Sequence, residues 1–356
     1  MIKAIEIERF RGIEHLALDG LRMVNIIVGP SAAGKTTLLE AIRLALGATP
    51  QTAFGLSLRG APMVFTQNSS REQFEELWIP LFFDHAIRRP VKLAIENADG
   101  ERATIELFFD ATKTVAQTAV GNAPGAMSAN APPIAPVALK RKSFSGVEST
   151  LYATVNSNGQ IQLEQGEELG VAVDFLSPTW QTNPQLAAMM FSRLNIANKA
   201  AGVVDVLKKQ FSEIEDLSVE SPSYIAAVYA SLHSVKRKIP LTLISSGINK
   251  FMTMLLAIEI NTDGTMLVDE IENGIYYQTM PALWRALYAS AKNARMQLFL
   301  TTHSWECLKS AAELIEEFPE DFSLIQMFQN DGRSTAMVAP GEHAVAAIEA
   351  DVEVRA

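Results

Sequence analysis

The chain has 356 residues, 48% hydrophobic and 20% charged, which is the composition of an ordinary globular protein with length for one large domain or two smaller ones. A net charge of −10 excludes a broadly basic surface that would coat nucleic acid and leaves room only for a focal patch. The single cysteine, Cys307, excludes an internal disulfide and a multi-cysteine zinc cluster and fits a reducing cytosol; no leader peptide is visible, and the most apolar run, Phe251 to Ile258, is too short to span a bilayer.

Ile2 to Glu8 alternates apolar and polar residues, Phe10-Arg11-Gly12 turns the chain, and Ile13 to Leu18 reads as the returning strand. Arg11 is either a solvated turn residue or one that reaches a nucleotide bound a few residues downstream. Val24 to Val28 reads as a short buried strand, and Gly29-Pro30-Ser31-Ala32-Ala33-Gly34-Lys35-Thr36 follows, with Thr37 behind it. This run fits G-x-x-x-x-G-K-[ST] at every fixed position. The pattern has a mechanism: glycines let successive N–H groups face a phosphate, the lysine reaches the β- and γ-oxygens, and the hydroxyl binds Mg²⁺. Thr36 to Leu46 then carries apolar residues at helical spacing, so strand, loop and helix come in the required order.

Glu72 to Trp78 is expected to form a short helix. Val91 to Ile95 and Arg102 to Phe109, joined by Asn97-Ala98-Asp99-Gly100, read as a hairpin, so the first half includes an antiparallel sheet. Residues 111 to 138 are rich in Ala, Pro, Gly and Thr and are expected to be a long flexible loop. Lys140-Arg141-Lys142 at its end reads as a solvated strand entry, or as a contact for a polyanion. Leu151 to Val155 and Gln160 to Leu163 form a further hairpin, and Val171 to Leu176 a more apolar strand. Beyond Asn183 the expectation is a helical subdomain over 184–240, with helices at Pro184 to Ile196 and Ala201 to Phe211 and a basic piece, His233 to Lys238. None is long enough for an extended coiled coil. Three sub-regions follow within a single domain: a β-rich nucleotide lobe (1–183), the helical insert, and a C-terminal lobe (241–356).

The second cluster of chemistry lies in that last lobe. Thr265 to Val268 is an apolar strand ending in Asp269-Glu270. Beside a phosphate loop, Asp269 is placed to hold Mg²⁺ and Glu270 to orient and deprotonate a water. Leu298 to Thr302 is another strand, and it ends in His303, which can approach the γ-phosphate from the carboxyl edge of the sheet. Ser245-Ser246-Gly247-Ile248-Asn249-Lys250 opens a helix and makes a second anion site. One chain rarely needs two, so this helix start is expected to cap the nucleotide held by another subunit.

With these motifs in their order, the chain resembles the ABC-type ATPase heads of the RecF, Rad50 and OLD group: an α/β P-loop fold with an N-terminal antiparallel subdomain and a helical subdomain before the signature motif. Ser-Ser-Gly-Ile-Asn-Lys, Asp-Glu-Ile-Glu-Asn-Gly and Thr-Thr-His-Ser look most like the OLD-like ATPases of bacterial anti-phage defence. The resemblance implies that Ser245 and Gly247, with Ser246, Asn249 and Lys250, form a signature acting in trans, that Glu272 and Asn273 form the D-loop, and that His303 is the switch histidine. It also implies a Q-loop glutamine, either Gln181 or Gln67, and gives Arg11 a place against the nucleotide. OLD nucleases carry a Toprim domain, yet only 53 residues follow His303, without a strand-borne acidic cluster. The expectation is therefore a cytoplasmic ATPase using ATP and Mg²⁺, dimerising head to tail and controlling a separate nuclease or toxin. The alternatives are a RecF-like DNA clamp gripping through Lys236-Arg237-Lys238 or Lys140-Arg141-Lys142, and a scaffold that binds nucleotide without hydrolysing it.

Overall fold

The strands fall into two large sheets and a small three-stranded one, and the phosphate loop sits where the two large sheets meet. The computed structural model describes residues 1–59, 71–113, 134–156, 160–167, 169, 171–177, 184–222, 224–330 and 333–349. In chain order, β1 (Ile2–Phe10), β2 (Ile13–Asp19) and β3 (Val24–Val28) precede α1 (Lys35–Gly47), α2 (Pro50–Ser57) and α3 (Arg71–Trp78). β4 (Val91–Asn97), β5 (Arg102–Phe109), β6 (Val137–Lys142), β7 (Glu148–Val155), β8 (Ile161–Leu163) and β9 (Val173–Leu176) follow. Next come α4 (Pro184–Ile196), α5 (Ala200–Gln210), β10 (Ile214–Glu220), β11 (Ala227–Leu232), β12 (Val235–Pro240), α6 (Leu241–Ile244) and α7 (Ser246–Ile260). The chain closes with β13 (Thr265–Val268), α8 (Met280–Ala294), β14 (Gln297–Thr301), α9 (Trp305–Ser310), α10 (Ala312–Glu317), β15 (Phe322–Asn330), β16 (Arg333–Pro340) and α11 (Gly341–Glu349).

One sheet is antiparallel in the order β2-β1-β4-β5-β6-β7-β8; the other runs β16-β15-β3-β14-β13-β9, parallel except for β16. Period-two alternation explains how α1 comes to be enclosed. Ile27, Leu267, Phe299 and Ile325 face α1 and the antiparallel sheet, sharing a core with Leu38, Leu39, Ile42, Ile5 and Ile7. Their neighbours Ile26, Val28, Met266, Val268, Leu298 and Leu300 face the other way, onto α4, α5, α7 and α8. The parallel strands are buried on both faces, as their near-continuous apolar runs require.

Residues 184–240 depart from the helical expectation. α4 and α5 are present, but the second half of the segment is the three-stranded antiparallel sheet β10-β11-β12. The basic piece is β12, whose Lys236, Arg237 and Lys238 are all exposed. Its alternation is weak because no apolar face is buried there, so polarity hid the strand. The expected loop at 111–138 ends earlier than read: Val137 already begins β6, and residues 114–133 lie outside the described part. Lys140, Arg141 and Lys142 lie within β6, not before it; Arg141 turns inward, donating to the Ala48 carbonyl at 3.1 Å and to Ser149 Oγ at 2.9 Å. Among the described residues, no helix is long and apolar enough to cross a membrane.

Candidate nucleotide-binding and hydrolysis site

The phosphate loop leaves β3 through three residues in the left-handed region, Gly29 (φ 142°), Ala32 (φ 65°) and Gly34 (φ 98°). The two glycines are required by packing as well. A Cβ on Gly29 would lie 2.3 Å from the Met327 carbonyl oxygen, and one on Gly34 would lie 2.7 Å from Ser334 Oγ. The β15–β16 hairpin thus presses against the back of the loop, a support that sequence reading missed because Met327 and Ser334 carry no motif. Lys35 folds over the loop, its Nζ donating to the carbonyls of Gly29 (2.7 Å) and Pro30 (2.8 Å). Burial pushes its pKa down to about 8, against the pull of Asp269, Glu270 and Glu272. A cation held at such cost is stabilised by an arriving polyanion.

In the sheet β14 lies between β3 and β13, and this puts its last residue, Thr301, between the phosphate loop and the acidic pair. Thr36 Oγ1 donates to Asp269 Oδ2 (2.7 Å), and Thr301 Oγ1 donates to Asp269 Oδ1 (2.6 Å). The Glu270 N–H donates in turn to Thr301 Oγ1 (2.8 Å). Glu270 itself is left-handed, with φ 51°. For a side chain with a Cβ that conformation costs about 1–2 kcal/mol, so neighbours must hold it. The Glu270 carboxylate accepts from Asn273 Nδ2 and lies 3.8 Å from His303 Nε2. The His303 N–H donates to Glu272 Oε1 (2.7 Å), while Glu272 Oε2 is buried without a hydrogen-bond partner among the described residues. Lys35, Thr36, Asp269, Glu270, Glu272, Asn273 and His303, singled out separately in the sequence, converge on one corner of the sheet. Thr301 was not singled out, although it belongs to the Thr-Thr-His-Ser run. The Thr36 hydroxyl and Asp269 carboxylate are hard oxygen donors already side by side, a set that fits Mg²⁺.

The signature segment divides. Ser245 caps α7, its Oγ accepting from the Ile248 N–H at 3.3 Å, and Ser246 is exposed. Gly247 is packed so closely on the segment after the acidic pair of its own chain that a Cβ would stand 2.0 Å from the Gly274 carbonyl oxygen. Asn249 and Lys250, expected to act on another subunit, point inward instead: Asn249 is buried, and Lys250 Nζ donates to the Glu270 carbonyl at 2.5 Å. Tertiary packing is the reason: the start of α7 lies against the segment that follows the acidic pair, and Lys250 reaches across to it.

Arg11 is not a solvated turn residue. It ion-pairs with buried Glu40 on α1 at 2.8 Å, without a hydrogen bond along that contact, and donates to the Leu56 carbonyl at 2.8 Å. Among the described residues, its hydrogen-bond and ion-pair partners lie on α1, at the end of α2 and in the segment before β4. Gln181 and Gln67 lie outside the described residues.

A family profile described as "AAA domain" matches residues 4–216, and one described as "AAA domain, putative AbiEii toxin, Type IV TA system" matches 141–307. An ATP/GTP phosphatase of Helicobacter pylori is 22% identical over 93% of this chain and 93% of its own length. The replication and repair protein RecF of Protochlamydia amoebophila is 30% identical over 28% of this chain and 25% of its own. Among solved structures, an Smc head bound to the C-winged helix domain of ScpA superposes with TM-score 0.55 at 13% identity, covering 97% of this chain and 99% of that one. The Smc head with an extended coiled coil bound to a ScpA domain derived from Pyrococcus furiosus gives 0.51 at 11% identity, covering 99% of each. These likenesses bear on the fold alone and agree with a P-loop ABC ATPase head. Because the first profile spans well over half of the sequence, the chain belongs to the AAA-domain family and is an ATPase.

Proposed function

We propose that this ATPase hydrolyses ATP at a composite site, dimerises head to tail around the nucleotide, and controls a separate effector in a bacterial defence system. The observation that carries the chemistry is the chain of contacts from Thr36 through Asp269 and Thr301 to Glu270, which joins phosphate loop and acidic pair into one unit. In this reading the loop N–H groups and Lys35 hold the triphosphate, and Thr36 with Asp269 would hold Mg²⁺. The cation supplies charge neutralisation at the phosphate oxygens when bound. Glu270 takes the proton of the attacking water, and His303 orients the γ-phosphate side of the site.

Dimerisation is supported by the surface around the signature. Leu243 (77% exposed) precedes it, and Tyr276 and Tyr277 (59% each) follow the D-loop against which it packs, so apolar surface flanks the motif on both sides. Ser245 and Ser246 stand at the start of α7 to meet a nucleotide from a second copy. The defence role is supported by the toxin–antitoxin description of the second profile, which covers signature, acidic pair and histidine together. Glu270→Gln is the test of the chemistry: phosphate release should fall by about 10²–10⁴-fold, the range a general base contributes, with ATP still bound. Normal turnover in that variant would remove Glu270 from the mechanism.

A RecF-like role on DNA is the second reading, favoured by the exposed Lys236-Arg237-Lys238 on β12 and by the RecF similarity. It predicts ATP-dependent DNA binding that weakens steeply with salt. Binding that is undetectable with and without ATP rejects it.

A further inference from the structure

We propose that Lys250 is a positioning residue for hydrolysis: from the first turns of α7 it holds the backbone of Glu270 and so sets the direction of the Glu270 carboxylate. The inference rests on the reading of Glu270 as the base.

Glu270 is a glutamate in a conformation natural to glycine, with φ 51°, at the one point of the site where a side chain must be aimed. Two neighbours clamp it. On one side β14 does so, Thr301 Oγ1 accepting the Glu270 N–H at 2.8 Å and the Thr301 carbonyl accepting the Ile271 N–H at 3.0 Å. On the other side the Glu270 carbonyl accepts from Lys250 Nζ at 2.5 Å, and this bond comes from a different element. The Asn273 N–H also donates to this carbonyl at 3.0 Å, so without Lys250 the peptide that follows Glu270 keeps only β14 and its own turn, and nothing ties it to α7. The carboxylate would then be free to leave its present place between Asn273 and His303.

Lysine suits the place for a second reason. Asp269, Glu270 and Glu272 crowd one corner, and the Lys250 cation faces all three from the α7 side, as Lys35 does from the loop. The helix that carries Lys250 is capped by Ser245, so the clamp and the exposed start of α7 belong to one element. A bland alternative is that Lys250 only balances buried charge. That alternative predicts lost stability, whereas a positioning role predicts lost turnover.

The experiment measures steady-state phosphate release, titration with a fluorescent ATP analogue, and thermal melting for Lys250→Met, Lys250→Arg and Glu270→Gln. Lys250→Met is expected to lower kcat by about ten- to a hundredfold, as a misplaced reacting group does, with KM, analogue affinity and melting temperature near wild type. Lys250→Arg, which can still donate to the carbonyl, should recover most of the loss. If Lys250→Met does not fold, Lys250→Gln, with a shorter donor, is measured in its place. Wild-type kcat in the Met variant, or a kcat loss matched by equal losses of analogue binding and melting temperature, overturns the proposal. So does an Arg variant no better than Met. Wild-type turnover in Glu270→Gln would instead overturn the reading of the base, whatever Lys250 does.

Discussion

Thr301 shows how one hydroxyl can serve two functional residues. It is fully buried, donates to Asp269 and accepts from the Glu270 N–H, so it spaces the proposed metal ligand from the proposed base. Thr301→Val keeps the shape and the packing of β14 but removes both bonds. The expected result is a loss of about 1–3 kcal/mol in stability, the cost of leaving a buried polar group unpaired. Phosphate release should fall by about tenfold or more, because the Glu270 N–H loses its acceptor and β14 keeps only the backbone bond to Ile271. Denaturant unfolding and phosphate release on the same preparation check both parts, and an unchanged kcat would show that the hydroxyl is only structural. The residues of the phosphate loop and the acidic pair were legible in the sequence because their spacing encodes their geometry. Thr301 was not, since its role depends on β14 lying between β3 and β13, an order that no local pattern carries. Lys250 was read for the wrong partner for a related reason: its motif was legible, but the face of α7 it occupies is set by tertiary packing.

At the scale of elements, the β1–β2 turn is locked to α1. Arg11 is mostly buried and its guanidinium meets Glu40, which is 1% exposed; Arg59 approaches the same carboxylate at 3.4 Å. Burial raises the Glu40 pKa while Arg11 and Arg59 lower it, so the pair is a buried charge with its countercharges supplied from two other segments. Arg11→Ala should therefore destabilise the protein by roughly 3–5 kcal/mol, as removal of one partner of a buried pair does, and leave ATP affinity unchanged. Denaturant titration alongside nucleotide titration decides the matter. Weakened ATP binding at full stability would return Arg11 to the nucleotide. The β1–β2, β4–β5 and β7–β8 hairpins and the parallel strands β3, β9, β13 and β14 were legible because alternation and buried apolar runs mark them, whereas β15 and β16 were not read. The sheet at β10–β12 was not, because β12 buries almost nothing and its basic residues mask the period of two.

For the whole molecule, the arrangement divides labour between two layers of core. The antiparallel sheet and α1 fix the phosphate loop from one side, and α7 and α8 fix the acidic pair and the turn after it from the other, with the parallel sheet between them. The signature serines and the apolar residues beside them remain at the surface, where a second copy has access to them. The central claim is that two such chains close around ATP. Light scattering of the Glu270→Gln protein, with ATP·Mg²⁺ and without nucleotide, tests it most directly. The account predicts a molar mass that doubles with ATP·Mg²⁺ and stays single when Ser245→Arg is added. A mass unchanged by nucleotide and by that substitution would contradict it.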